Sequence, residues 1–347
     1  MPFEPTQHVR LGRTGLEVTR LSFGGASIGG LYTPVADAEA EAVIEHAWQS
    51  GVRYFDVAPL YGYGRAEVRL GAALAGRPRD SFVVSTKVGR LVRDAASLPP
   101  DADVDPQALG EQRDAYYMGA GDRRIVFDYS ADGVRRSLQE SLERLRLDRI
   151  DIALIHDPDD HEEAAFAEAY PALEALRAEG VVQAIGVGMN QSTMLARFAR
   201  ETDVDVLLLA GRYSLLDQGA LVELLPACVE RDIPVLIAGV MNSGVLADPR
   251  PGSRFDYRPA PPDIVARAAR IGEVCRRNGV PVKVAAIQFP LAHPAIAALV
   301  TGVRSIEHFD EYPAAMRADV PGAVWDDLRA EGLIAPDAPI PSTRAVA

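Results

Sequence analysis

Eight times along this chain a short apolar run is followed by a longer stretch with helical spacing, and no other feature limits the fold as much. The runs fall at 21–23, 53–56, 82–86, 151–155, 182–187, 206–209, 235–238 and 299–301. Most are continuous in apolarity rather than alternating, as expected of strands buried on both faces of a parallel sheet. Amphipathic stretches lie near 37–50, 65–75, 130–146, 162–179, 191–201, 217–231, 263–278 and 305–318. Eight such units predict an α/β protein, a closed (β/α)8 TIM barrel. An open doubly wound sheet is the competitor, but its first strand would lead into a G-x-G-x-x-G loop. Here the first strand runs into "FGGASIGG", which lacks that spacing. The chain reads as one barrel domain over 1–347, with its core at about 10–318. The Pro- and Ala-rich residues 330–347 are predicted to form a poorly ordered tail.

Three stretches exceed a minimal barrel. The opening "VRLGRTGLEVTR" predicts a β-hairpin, which in a barrel would cover the N-terminal end. Residues 88–128 and 241–262 are long insertions after the third and seventh strands. Both leave from strand C-terminal ends, the face where barrels of this kind carry their sites, so both are candidate binding loops.

Composition narrows the function. Lys and Arg number 36 against 49 Asp and Glu, a formal charge of −13, which argues against a nucleic-acid partner. No apolar run approaches the roughly 20 residues of a membrane span, and "MPFEPTQHVRLG" has no charged-then-apolar leader pattern, so the reading is cytoplasmic. The two cysteines, Cys228 and Cys275, fall in separate predicted helices, where they read as reduced, packed thiols.

Polar residues at strand ends carry the chemistry. Asp56 closes "VRYFD", Lys87 closes "FVVSTK", His156 closes "DIALIH", and Tyr61 lies in the loop "APLYGYG". One rim thus receives an acid, a base, an imidazole and a phenol. A phenol titrates near pH 10, so acid–base work near neutrality needs a shift of about 2–3 units. A neighbouring Lys87 ammonium could supply it by stabilising phenolate, with Asp56 as the partner of the buried cation. His156 could orient a substrate oxygen. There is neither a nucleophile–base pair nor a metal-ligand cluster. Such a set moves a proton on oxygen and suits hydride transfer, where a cofactor does the redox chemistry.

The motifs "LGRTGLEVTRLSFGG", "DVAPLYGYGRAEVRLGAAL", "VVSTKVG", "SLERLRLDRIDIALIHDPD" and "TGVRSIEH" resemble the aldo-keto reductase superfamily over roughly 10–318. The resemblance implies a barrel that binds NAD or NADP without a Rossmann domain. It carries the catalytic tetrad onto Asp56, Tyr61, Lys87 and His156, with Tyr61 as general acid in reduction and general base in oxidation. It also implies cofactor contacts from Gly25 and from Asn190, which follows Gly188 and Met189 where the family has Ser-Asn. Tyr213 would stack on the nicotinamide, and Asn242, Gly244 and Leu246 would pass the pyrophosphate. Gly302, Arg304 and Ser305 would hold the adenosine phosphate, with Arg304 favouring NADP over NAD.

Within the superfamily, "LIHDPD", "IGVGMNQ", "LLLAGRYSLLDQ" and "QFPLAHP" are most similar to a branch that oxidises sugars at C1, including L-fucose and D-threo-aldose 1-dehydrogenases and a related pyridoxal 4-dehydrogenase. The resemblance implies a small-molecule substrate, an aldose oxidised to its lactone, with Asp157 as a candidate contact; loop 88–128 offers Tyr116 and Tyr117, aromatic groups of the kind a sugar site uses. Pyridoxal or another aldehyde is the alternative within the class. An NADP-sensing regulatory subunit with little turnover is the alternative outside it. A homo-oligomer is compatible with all three.

Overall fold

The computed structural model describes residues 3–106, 117–119 and 121–341. Strands β1 (His8–Arg10) and β2 (Glu17–Thr19) form an antiparallel hairpin. Eight parallel strands then close into a barrel: β3 (Leu21–Gly24), β4 (Tyr54–Asp56), β5 (Val83–Val88), β8 (Ile152–His156), β9 (Ala184–Met189), β10 (Val206–Ala210), β11 (Val235–Ala238) and β14 (Ile296–Gly302). The seam pairs Leu299 with Leu21 and Thr301 with Phe23. All eight expected runs are barrel strands in the expected order. The predicted helices are present too, although 217–231 is broken into a single turn, Gly219–Leu221, and a helix, Leu224–Glu230.

Alternation along each strand divides inside from outside. Tyr54, Val83, Ile152, Leu154, Ala184, Val206, Leu208 and Leu236 share one apolar cluster with Leu11, Leu16 and Val18 of the hairpin. Phe55, Val84, Ala153, Ile155 and Ile185 belong instead to the larger cluster shared with the surrounding helices. The hairpin therefore plugs the N-terminal mouth with apolar side chains. Its turn is tight: Gly12 has φ +47°, and a Cβ there would stand 2.7 Å from the Asp232 carbonyl. Further up, the inward positions become Asp56, Ser85, Lys87 and His156, continuing the same two-residue period. Gly188 faces them from β9, and a Cβ there would touch Lys87 Cε at 3.5 Å.

The insertions have structure of their own. Within 88–128, β6 (Arg90–Asp94) pairs antiparallel with β7 (Arg123–Phe127). Within 241–262, β12 (Arg254–Phe255) and β13 (Arg258–Pro259) make a minimal hairpin. Two helices escaped the pattern reading. Val282–Leu291 is buried from Ala285 to Leu291 on every side, so it has no amphipathic period to detect. The second is Gly322–Ala330.

The tail corrects the expectation of disorder as far as residue 341. Leu333, Ile334 and Ala338 are fully buried. Gln218 accepts a hydrogen bond from the Ala335 N–H and Arg329 donates to the Ala338 carbonyl at 2.7 Å. An irregular segment can bury apolar side chains with no periodic signature, and composition alone hides that.

Candidate active site

The C-terminal ends of three consecutive barrel strands carry Asp56, Lys87 and His156, all less than 5% exposed. Lys87 Nζ donates to Asp56 Oδ1 and Oδ2 at 2.9 and 2.8 Å and to the Val57 carbonyl at 3.0 Å. Ser85 Oγ donates to Asp56 Oδ1 at 2.7 Å, which spends its only proton. The 2.8 Å contact between Tyr54 and Ser85 must then run from the phenol to the serine. Asp56 is thus fixed from below by a polarised column of hydroxyls. Breaking such a buried pair by removing one partner costs about 3–5 kcal/mol.

Tyr61 leans over this pair, with its ring centroid 4.7 Å from Lys87 Nζ. The His156 ring meets it edge-on at 5.8 Å. The four residues expected to act together are therefore brought together. Their electrostatics differ from the expectation of an acidic phenol. Burial pushes the Tyr61 hydroxyl well above its ordinary value, and the negative charges of Asp56 and Asp157 add to the shift. The Lys87 ammonium makes its three hydrogen bonds to Asp56 and Val57. Burial likewise drives His156 well below its ordinary value, reinforced by Arg90 and Lys87, so the imidazole is neutral. Its Nδ1 is buried with no hydrogen-bond partner among the described residues.

Asp157 follows His156 with φ +41°, and its carboxylate lies 3.5 Å from His156 Nε2. Burial raises it to about 6, against the pull of Arg90. Arg90, at the root of the first insertion, bonds Asp105 at 2.8 Å and reaches the Asp157 carboxylate at 3.5 Å. Tyr129 donates to the His156 and Asp157 carbonyls at 2.6 and 3.1 Å. Arg90 and Tyr129 both escaped sequence reasoning. The one signal for Arg90 was membership of the insertion 88–128, and Tyr129 lies one residue past its end.

Other tyrosines line the rim. Tyr117 lies 6.1 Å from Tyr61, ring to ring, and pairs with Leu31 in an isolated bridge. Tyr116 lies outside the described residues. Tyr257, from the β12–β13 turn, is hydrogen-bonded by the Asn190 side chain. The Asn190 backbone N–H donates to the Asp157 carboxylate. Asn190 is thus at the site, though its side chain is already engaged.

The residues assigned to the cofactor separate into two groups. Gly25 sits at the rim, where its N–H donates to the Asp56 carbonyl at 2.7 Å and a Cβ would meet Val57 at 2.6 Å. Gly244 has φ +97° and open space where a Cβ would be, so backbone is accessible there. Gly302 ends β14. Ser305 caps helix Ile306–Arg317, accepting from the His308 N–H at 3.2 Å. Arg304 is exposed beside it, with no acidic partner among the described residues; its one polar contact is Thr33 at 3.5 Å. An exposed guanidinium, a helix N-terminus and open glycine backbone on adjacent exits fit a dinucleotide phosphate.

In the second group the side chains themselves are buried. Tyr213 is wholly buried, 5.3 Å from Phe289 and 5.5 Å from His293. Gly211, at φ +74°, turns the chain after β10, and the ring that follows packs in the core. Asn242 is buried, accepting from Ser214 at 2.7 Å and donating to the Gly211 carbonyl at 2.8 Å, so it ties two loops together. The Leu246 side chain is core.

A closed eight-stranded barrel with a buried Lys–Asp pair, a tyrosine and a neutral histidine at its C-terminal rim defines a class. The chain belongs to the aldo/keto reductase family, which it matches over residues 20–330, and it is an NAD(P)-dependent oxidoreductase. It is 42% identical over 323 residues to D-threo-aldose 1-dehydrogenase of a Pseudomonas species, covering 92% of this chain and 96% of that one. It is 43% identical over 348 residues to pyridoxal 4-dehydrogenase of Microbacterium luteolum, covering 96% and 100%. An aldo-keto reductase of Bacillus halodurans in its holo form shares the fold, with a TM-score of 0.70 at 23% identity, covering 95% of this chain and 96% of that one. No helix among the described residues is long and apolar enough to cross a membrane.

Proposed function

We propose that this protein oxidises an aldose at C1 to the lactone, with NADP as the preferred hydride acceptor and Tyr61 as the group that moves the proton. The observation that carries the reading is the Lys87–Asp56 pair held under the Tyr61 ring with His156 edge-on beside it. When bound, the nicotinamide supplies the hydride acceptor and, in its oxidised form, a positive charge. The chain's own residues do the rest. His156, neutral and edge-on beside the Tyr61 ring, is placed to offer a ring nitrogen to the substrate oxygen. As C1 gives up its hydride to a bound nicotinamide, the phenolate form of Tyr61 would take the proton of the C1 hydroxyl and the C1=O bond of the lactone would form. Because Tyr61 is held protonated by burial, it is ready as an acid for aldehyde reduction. It serves as a base only when the pH or added positive charge favours phenolate.

Asp157 and Asn190 supply acceptors and donors for sugar hydroxyls, flanked by aromatic rings, the mixture expected of a polar small-molecule site. Arg304 and the N-terminus at Ser305 are suited to a 2′-phosphate, which favours NADP. Pyridoxal is the second reading, favoured by the flat walls of Tyr117 and Tyr257 and by the 43% identical relative. Appearance of reduced nucleotide should be followed at 340 nm on the order of hours or less, with L-fucose, L-galactose, D-arabinose and pyridoxal, each with NAD and NADP. Turnover of at least one sugar, with higher kcat/KM for NADP, is expected. Turnover of pyridoxal alone refutes the aldose reading, and turnover of nothing points to a nucleotide-sensing protein.

A further inference from the structure

Tyr257 occupies a position that none of the tetrad chemistry requires. It lies in a two-residue turn in which both members, Asp256 (φ +48°) and Tyr257 (φ +63°), are left-handed without being glycine. The ring it faces, Tyr32 at 6.4 Å, belongs to a third such residue, with φ +61°. Bulky side chains in this region are rare and each costs about 1 kcal/mol or more, so three together need a surrounding that holds them. Here Asp256 is ion-paired to Arg212 and the Tyr257 N–H donates to Ser243 Oγ at 3.3 Å. Arg254, on the same hairpin, sits 4.6 Å above the Tyr32 ring.

The topology shows what this strain accomplishes. Counted in order around the barrel, β3 is the first strand and β9 the fifth, so their exits are diametrically opposed. Tyr257 comes from the loop after the seventh. Its hydroxyl is held by Asn190, beyond the fifth strand, and its ring by Tyr32, beyond the first. It therefore lies as a bar across the mouth. On one side are the exits of strands two to four, carrying Tyr61, Lys87, His156 and Asp157. On the other are those of six to eight, carrying Gly244, Gly302 and Arg304.

We propose that Tyr257 is a specificity-determining residue, the far wall of the substrate pocket, latched in place by Asp256 and Arg212. It sets the room available to the part of the substrate remote from the reacting carbon. This rests on the reacting centre being the tetrad, not on the substrate being a sugar. A short substrate that fills only the space at Tyr61 and His156 does not reach the bar. A longer one packs against the ring and meets the Tyr257 hydroxyl.

The test is a ratio of kcat/KM for a long and a short substrate in the parent, Tyr257→Ala, Tyr257→Phe and Asp256→Asn proteins. The long substrate is whichever hexose the parent oxidises, or pyridoxal if it oxidises none; the short one is D-glyceraldehyde, assayed in reduction. Failure of the aldose reading thus shows in the parent alone and leaves this measurement intact. For Tyr257→Ala the ratio should fall at least tenfold through a higher KM for the long substrate, with KM for the nucleotide raised by less. Tyr257→Phe should lose about two- to tenfold, as expected for one hydrogen bond. Asp256→Asn, which leaves every ring in place, should shift the ratio in the same direction. An unchanged ratio in the two Tyr257 variants, or a rise in nucleotide KM matching that for the long substrate, overturns the proposal.

Discussion

The two ends of this barrel are built from the same strands to opposite specifications. At the N-terminal end the inward residues are Tyr54, Val83, Ile152, Ala184 and Val206, sealed by Leu11, Leu16 and Val18 of the hairpin. Two to four residues further along, the same inward row presents Asp56, Lys87 and His156, surrounded by left-handed tyrosines and aspartates. One end gains from burying apolar surface, while the other spends stability on buried charge and strained backbone. The boundary between fold and function therefore runs across each strand rather than between segments of the chain.

Paired substitutions can break this comparison. Tyr61→Phe removes one hydroxyl at the functional end and should lower kcat by about 10²–10⁴-fold, with the urea midpoint little changed. Leu11→Ala opens a cavity at the plugged end. It should cost about 2–5 kcal/mol of stability, read from urea unfolding, and leave kcat/KM unaltered under conditions where the protein is folded. If Leu11→Ala slowed turnover as much as it lowered stability, the two ends would be mechanically coupled and the division would fail.

The same division explains what could be read in advance. The barrel was legible because buried parallel strands make continuous apolar runs, and the tetrad because charged residues ending such runs have few structural reasons to be there. The wall around it was not. Arg90 becomes part of the site only because β6 and β7 fold back over His156, a long-range event with no local spacing. Tyr257 and Tyr32 depend on left-handed backbone that gave no glycine signal. Tyr213 enters the expected site through the resemblance alone, and its ring packs in the core against Phe289 and His293. The direction a loop side chain takes is decided by one or two dihedral angles, and sequence patterning does not report them.

Asp157 offers the finest test, because it stands where the two specifications conflict. Burial raises its carboxyl from 3.8 to about 6, with Arg90 opposing. A raised acid binds its proton more tightly when folded, so its ionisation opposes folding, and its contribution falls as pH rises from about 4 to about 6. The proposed substrate contact requires the reverse, since only the ionised carboxylate accepts two hydroxyl donors. The KM for the aldose should therefore rise as pH falls through about 6, by up to tenfold per unit, while kcat changes less. Asp157→Asn should raise KM about two- to tenfold at pH 8 and flatten its dependence between pH 5 and 7, where the amide does not titrate. The same variant should lose the decline in stability over that lower range, seen in urea midpoints at successive pH values. A KM limb that persisted in Asp157→Asn would assign the titration to another group and remove Asp157 from the substrate contacts.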